Sequence, residues 1–271
     1  MHQKTKDIQN RYDGFLQTPS LWKNKDVYEL HQFKIEPKTL KIDFNIDEKL
    51  RLGKYIERFV SYQLAQEKDI NILCENIQIQ QNRITLGELD CILLKDKKPI
   101  HLEVIYKFYL FDDTVGTTEI DHFIGPNRKD ALVEKLTKLK EKQLPLLYSN
   151  ECENYLKSIH LSSEKIEQQV YFKAQLFVPY AFKNMQLKTL NTDCISGFYI
   201  NQKELTAFND CKFFIPNKKD WLVNPHQNVK WFNYTDFKEK SAAYLARNFS
   251  PLCWLKMKNG EIFKFFLVWW N

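Results

Sequence analysis

The chain is predicted to be an α/β (α+β) protein with a mixed central sheet flanked by helices. Three observations predict this. Apolar residues recur at helical spacing over 48–67. Two strand-like runs joined by a short charged turn come next. A further helix and a further apolar strand then follow, an order that fits helices laid on a sheet. With 271 residues and 44% hydrophobic content, the chain can bury a sizeable core. Glycine is scarce at seven residues, and no GxGxxG or GxxxxGK[ST] pattern occurs. That argues against a dinucleotide fold or a phosphate-cradling P-loop.

The elements are read in chain order. Residues 1–47 form an N-terminal helical arm carrying Trp22 and the run Val27-Tyr28-Glu29-Leu30, then a loop at Pro37. In the helix over 48–67, Leu50, Ile56, Phe59, Val60 and Leu64 make one stripe, Asp47 is the expected N-cap, and Glu57 borders the stripe. A strand over Ile70–Gln80 turns at Asn82 into a strand over Ile84–Leu94, which holds Gly87-Glu88-Leu89-Asp90. The charged turn Lys95-Asp96-Lys97-Lys98 leads, past Pro99, to a strand over Ile100–Leu110. The turn Gly125-Pro126-Asn127-Arg128-Lys129-Asp130 opens a helix over 129–142, with Leu132, Leu136 and Leu139 on one face and Pro145 as its stop. Residues 150–168 read as helix and Val170–Val178 as strand.

Beyond residue 180 the expected strands are short: 197–200, 212–215 and 220–223. A helix over 236–247 precedes two runs flanking Asn259-Gly260, a type I′ hairpin signal. The expected organisation is therefore an arm (1–47), a core (48–180) and a β-rich C-terminal extension packed on the core (181–271).

The net charge of +6 is compatible with nucleic acid, and equally with an ordinary mildly basic protein. None of the six cysteines forms a CxxC pair or a zinc-finger spacing, so they read as reduced thiols. The polar N-terminus lacks a signal-like apolar run. The apolar C-terminal run is interrupted by Lys264 and too short to span a bilayer. A cytoplasmic protein with no membrane partner is expected.

Strand alternation places Glu88 and Asp90 on one face of their strand, and Glu103 and Lys107 on one face of the next. Tyr106 and Tyr109 are expected to face away and pack, and His101 to share the face of Glu103. Acids gathered this way need a cation or a salt-bridge network. Glu57, Asp90, Glu103 and Lys107 could satisfy each other as such a network. Alternatively, the carboxylates hold a divalent ion.

These residues resemble the PD-(D/E)XK nuclease superfamily. Its pattern is a helix with a Glu, an Asp at the end of one strand, and Glu-x-Lys on the next. Glu57, Asp90 and Glu103 match the three acids in order, and "GELDCILLKDKKPIHLEV" looks like the strand-pair core. The blocks "LGKYIERFVSYQL", "HLEVIYKFYL", "GPNRKD" and "DWLVNP" resemble, over most of the chain, an uncharacterised bacterial family of unknown function placed in that superfamily. The expected lysine position is Ile105. Lys107 is the nearest lysine, displaced by about 7 Å along the strand.

The resemblance implies a restriction-endonuclease-like core and a Mg²⁺- or Mn²⁺-dependent nuclease acting on DNA. Asp90, Glu103 and Glu57 would hold the metal, and Lys107 would orient water or neutralise developing charge. Arg128, Lys135 and Lys138 are candidate nucleic-acid contacts, although a solvated helix face explains such lysines as well. The alternative is a catalytically inactive nuclease-fold protein that binds nucleic acid or a protein partner.

Overall fold

The structure is a computed structural model describing residues 2–39 and 41–270, with side chains described from residue 6 onward. Helix α1 (His2–Gln17) and helix α2 (Leu52–Ala65) precede three long strands, β1 (Ile70–Gln81), β2 (Ile84–Lys95) and β3 (Lys98–Phe111). Then come β4 (Phe123–Ile124), α3 (Leu132–Lys138), α4 (Asn150–Ser158) and β5 (Glu167–Pro179). The C-terminal part supplies β6 (Ile195–Asn201), β7 (Lys212–Phe214), α5 (Tyr234–Leu245), β8 (Leu252–Lys256) and β9 (Ile262–Val268). Among the described residues, all nine strands belong to one sheet of order β1-β2-β3-β5-β6-β9-β8-β7, with β4 paired to β3. The first three strands are antiparallel, β3, β5, β6 and β9 are mutually parallel, and β8 and β7 return antiparallel. The predicted mixed sheet with flanking helices is therefore present, and the C-terminal strands extend it edge-on.

Turn chemistry sets the first hairpins. Asn82 and Arg83 have φ of 48° and 68°, and Asp96 and Lys97 have φ of 49° and 65°. Two consecutive left-handed residues make the tight reversal whose twist matches antiparallel strands. The hairpin at Asn259-Gly260 differs from its expected type. Only Gly260 has positive φ, at 91°. The Gly260 amide donates to Met257 O at 3.0 Å, and the Met257 amide donates to Glu261 O at 2.8 Å. This is a turn closed by a glycine bulge rather than a type I′ pair.

The two faces of β3 feed different cores. Leu102, Phe108 and Leu110 pack with Tyr12, Phe15, Ile56 and Phe59 of α1 and α2. Ile105, Tyr109 and Phe111 pack with Leu132 and Leu136 of α3 and with Trp22. Tyr109 thus shares the face of Glu103, as its odd parity requires, which corrects the expectation that it points away. Tyr106 does lie on the other face. Its hydroxyl exchanges a hydrogen bond with Thr18 at 2.7 Å and accepts from Gln175 at 2.8 Å. The first core also takes in Trp221, Trp254 and Phe266, so arm, core and extension share one apolar interior. A third cluster, built on Phe198, Phe213, Phe237 and Phe265, fills the C-terminal side.

Several element boundaries differ from expectation for local reasons. The arm's helix is α1, and Trp22 and 27–30 lie in the irregular chain after it. Asp47 does not cap α2. Its carboxylate accepts from the Lys49 amide at 2.8 Å, and α2 starts after Arg51 with no side-chain cap. The third helix is α-helical only to Lys138. It widens to a π-turn over Leu139–Gln143 and tightens to a 3₁₀ turn over Leu144–Tyr148. Pro145 has no amide hydrogen and its ring collides with the preceding turn, so an α-helix cannot run through it. Helix α4 ends at Ser158 rather than near 168. Residues 218–222 form a 3₁₀ turn rather than a strand. A three-residue apolar run has no period long enough to separate the two.

Candidate functional site

The acids lie where two strands part. β2 pairs with β3 only from Cys91↔Leu102 to Lys95↔Lys98. Beyond that point β2 stays with β1 while β3 stays with β5. The separation leaves the Val104 amide without a strand partner. The Asp90 carboxylate takes it up at 2.9 Å, replacing a ladder hydrogen bond with a charged one. Asp90 is thereby fixed at the crotch of the fork, half-buried.

Glu103, on the neighbouring strand, is fully buried. Its Oε1 meets His101 Nε2 at 3.2 Å, and its Oε2 accepts from Gln143 Nε2 at 2.6 Å. The Gln143 side-chain Oε1 in turn accepts from Lys135 Nζ at 2.6 Å. Gln143 reaches inward from the π-turn, a local widening often found at functional positions. His101 is held on its other side by Gln168 at 3.1 Å. It therefore acts as a hydrogen-bonded structural residue beside Glu103.

Glu57 approaches from α2. Its Oε2 accepts from Lys54 Nζ at 2.9 Å, and Lys54 also donates to Asn76 at 2.7 Å and to Glu88. Burial opposes the Lys54 charge, but Glu88 and Glu57 outweigh it and raise its pKa. Burial raises the Glu57 pKa against the opposing pull of Lys54. The expected three-carboxylate set is therefore divided. Glu57 and Glu88 are matched by Lys54, while Asp90 and Glu103 face each other. Among the described residues, no three His, Cys, Asp or Glu side chains form a ready metal cage.

The Asp90–Glu103 pair carries the electrostatic stress. Desolvation first, and then the Glu103 charge, push the Asp90 pKa up to about 7, against the Val104 hydrogen bond. Two carboxylates in a low-dielectric place disfavour double ionisation. Lys135 is pulled the other way. Burial lowers its pKa to about 8, although Glu103 and Asp90 both favour its charged form.

Lys107 does not complete this group. Its Nζ donates to Asp130 Oδ2 at 2.7 Å, on the far side of the Gly125–Asp130 turn. That turn is closed by the Gly125 amide donating to Asp130 O at 2.7 Å. A Cβ on Gly125 would lie 1.9 Å from Asp130 Oδ1, so only glycine leaves room for the closure. Arg128 also turns inward, bonding Asp112 at 2.5 Å and stacking 4.8 Å from the Trp270 ring. It braces the turn rather than presenting itself to a ligand. Lys138 is exposed, whereas Lys135 from the same helix is half-buried and donates to Gln143, the residue that bonds Glu103.

Sequence reasoning passed over Lys54, which helical spacing could have found, being three residues before Glu57 on the same face. It also passed over Gln143, for which the sequence holds no signal.

The family described as Domain of unknown function (DUF1853) matches residues 7–264. The chain belongs to this family. The match runs from within α1 into β9 and so includes the fork, α3 and the Gly125–Asp130 turn together. No curated protein and no solved structure matches the chain. No helix among the described residues is long and apolar enough to cross a membrane.

Proposed function

We propose that the protein is a Mg²⁺- or Mn²⁺-dependent nuclease of the PD-(D/E)XK type, hydrolysing DNA phosphodiester bonds at the strand fork. The observation that carries this reading is the Asp90 carboxyl held up to about 7 beside buried Glu103. A cation placed between them relieves both the desolvation and the repulsion, so the donor set suits a hard divalent ion. Further support comes from the order of elements: a helix, an antiparallel strand trio, the short β4, two further helices and a strand parallel to β3. Six free cysteines suit a cytoplasmic setting.

Asp90 and Glu103 are the residues that would hold the ion, with Glu57 contributing through water. When bound, the ion would lower the pKa of a water and screen the phosphate charge. Lys135 takes the part the resemblance gave to a lysine two residues after Glu103. Its low pKa and its link to Glu103 through Gln143 suit an amine that orients water or donates a proton to a departing oxygen. Ile105, at the superfamily's lysine position, is buried in the α3-side core.

Titration calorimetry with Mg²⁺ and Mn²⁺ tests the ion. Wild type is expected to bind, and Asp90→Asn to lose at least tenfold; equal affinities would remove the ion from Asp90. Cleavage of single-stranded, duplex and branched DNA tests turnover. A second reading, a nuclease-fold protein that binds without cutting, is favoured by the Lys107–Asp130 pairing. DNA binding with no cleavage in either metal would select it.

A further inference from the structure

Beside Lys107 lies an open cavity of about 320 Å³, lined by Gly53, Lys107, Lys129, Asp130 and Lys218 among others. Three lysines, Lys107, Lys129 and Lys218, line it with one carboxylate, Asp130, and that carboxylate is already engaged by Lys107. Lys218 is drawn over the Trp221 ring, its Nζ 3.2 Å from the centroid and 5.6 Å from that of Phe108. A cation held on aromatic faces keeps donors free for an incoming anion. Burial lowers the Lys218 pKa to about 7, with Asp130 opposing and Lys107 adding to the shift. Gly53 contributes open space, since a Cβ built there meets nothing within 4 Å.

We propose that this cavity binds the terminal phosphate of a nucleic-acid strand whose chain runs on toward the fork. With Lys218 about half protonated near pH 7, the lining still carries an excess of between one and two positive charges, which suits a dianionic phosphomonoester better than an internal monoanionic diester. The volume is at the lower end for small-ligand sites, enough for one phosphorylated sugar. Lys107 and Glu103 are four residues apart on β3, about 13 Å, so a strand seated here reaches the acids within a few nucleotides. The substrate assignment rests on the nuclease reading; phosphate capture in the cavity does not.

The test is fluorescence polarisation in EDTA, using short single-stranded DNA with a 5′-phosphate, a 3′-phosphate or hydroxyls at both ends. Inorganic phosphate serves as competitor. One phosphorylated form is expected to bind at least tenfold tighter than the hydroxyl form. Gly53→Leu, which fills the space with a better helix former, and Lys218→Gln should each abolish that preference, and Lys218→Arg should restore most of it. Asp90→Asn should keep it. Equal affinity for all three oligonucleotides overturns the proposal, as does an unchanged preference in both Gly53→Leu and Lys218→Gln. Competition by inorganic phosphate without any end preference reduces the cavity to a free-anion site and also overturns it. Loss of Mg²⁺-dependent cleavage with the end preference intact sinks only the nuclease reading.

Discussion

Two charge clusters in this molecule, one around buried Arg11 and one at the fork, are built on opposite principles. At the first, Arg11 of α1 bonds Asp220 at 2.7 Å, Glu48 at 2.8 Å and the Tyr55 hydroxyl at 3.1 Å. Burial raises the Glu48 pKa, but Lys219 and Arg11 outweigh it and the net shift is downward. Each charge there meets its opposite, and the knot ties α1, the segment before α2 and the 218–222 turn together. At the fork, Asp90 and Glu103 meet each other, and the Asp90 pKa moves up. Matched charge holds the fold; at the fork the two carboxylates are left to repel one another. That contrast is what the proposed ion at the fork would use.

The largest expected effect is at the matched knot. Arg11→Met should cost about 2–3 kcal/mol by removing the charge-assisted hydrogen bonds to Asp220, Glu48 and the Tyr55 hydroxyl. The check is a denaturant midpoint; a loss below about 1 kcal/mol would show that the knot is only surface pairing. Next comes the lysine. Lys135→Ala should lower kcat by about 10²-fold, the usual scale for losing a positioned proton-transfer group. Lys107→Ala should affect DNA binding more than kcat. The reverse pattern, read from single-turnover rates, would return the catalytic part to Lys107.

The Asp90 prediction has the opposite sign to the Arg11 one. The Asp90 carboxyl titrates at 3.8 when unperturbed and at about 7 in the fold. Between those values the folded state holds a proton that the unfolded chain has lost, so stability falls as pH rises through that window. Asp90→Asn should therefore be more stable than wild type above pH 7, by about 1–3 kcal/mol, and equal to it near pH 4. Thermal melts across pH 4–8 without metal decide this; a destabilised variant at pH 8 would place Asp90 among matched charges. The smallest effect is expected at Glu57→Gln. Lys54 keeps Glu88 and Asn76 as partners, so the change should stay within about 1 kcal/mol.

The strand trio was legible because its determinants are local. Asn82 and Asp96 sit at positions where the chain must go left-handed, and alternation marks the runs on either side. The acids were legible as residues, and their division was not. Lys54 is a neighbour of Glu57 in sequence, but its link to Glu88 needs α2 to cross the β1–β2 ribbon. Lys135 read as part of a solvated lysine face, since Lys138, Lys140 and Lys142 share its helix. The π-turn at Leu139–Gln143 brings Gln143 to Glu103, and with it Lys135. No pattern in the chain announces that turn in advance.

The sequence alone determined the mixed α+β class, the two tight hairpins and the presence of acids on adjacent strands, because turn residues and side-chain alternation act over a few positions. Tertiary structure decided which charge meets which. Strand parting freed the Val104 amide for Asp90, the helix after Asp130 brought Lys135 to Gln143 beside Glu103, and Lys107 was drawn to Asp130 instead. Such pairings depend on distances between segments far apart in the chain, and electrostatic energy depends on those distances and on the local exclusion of water.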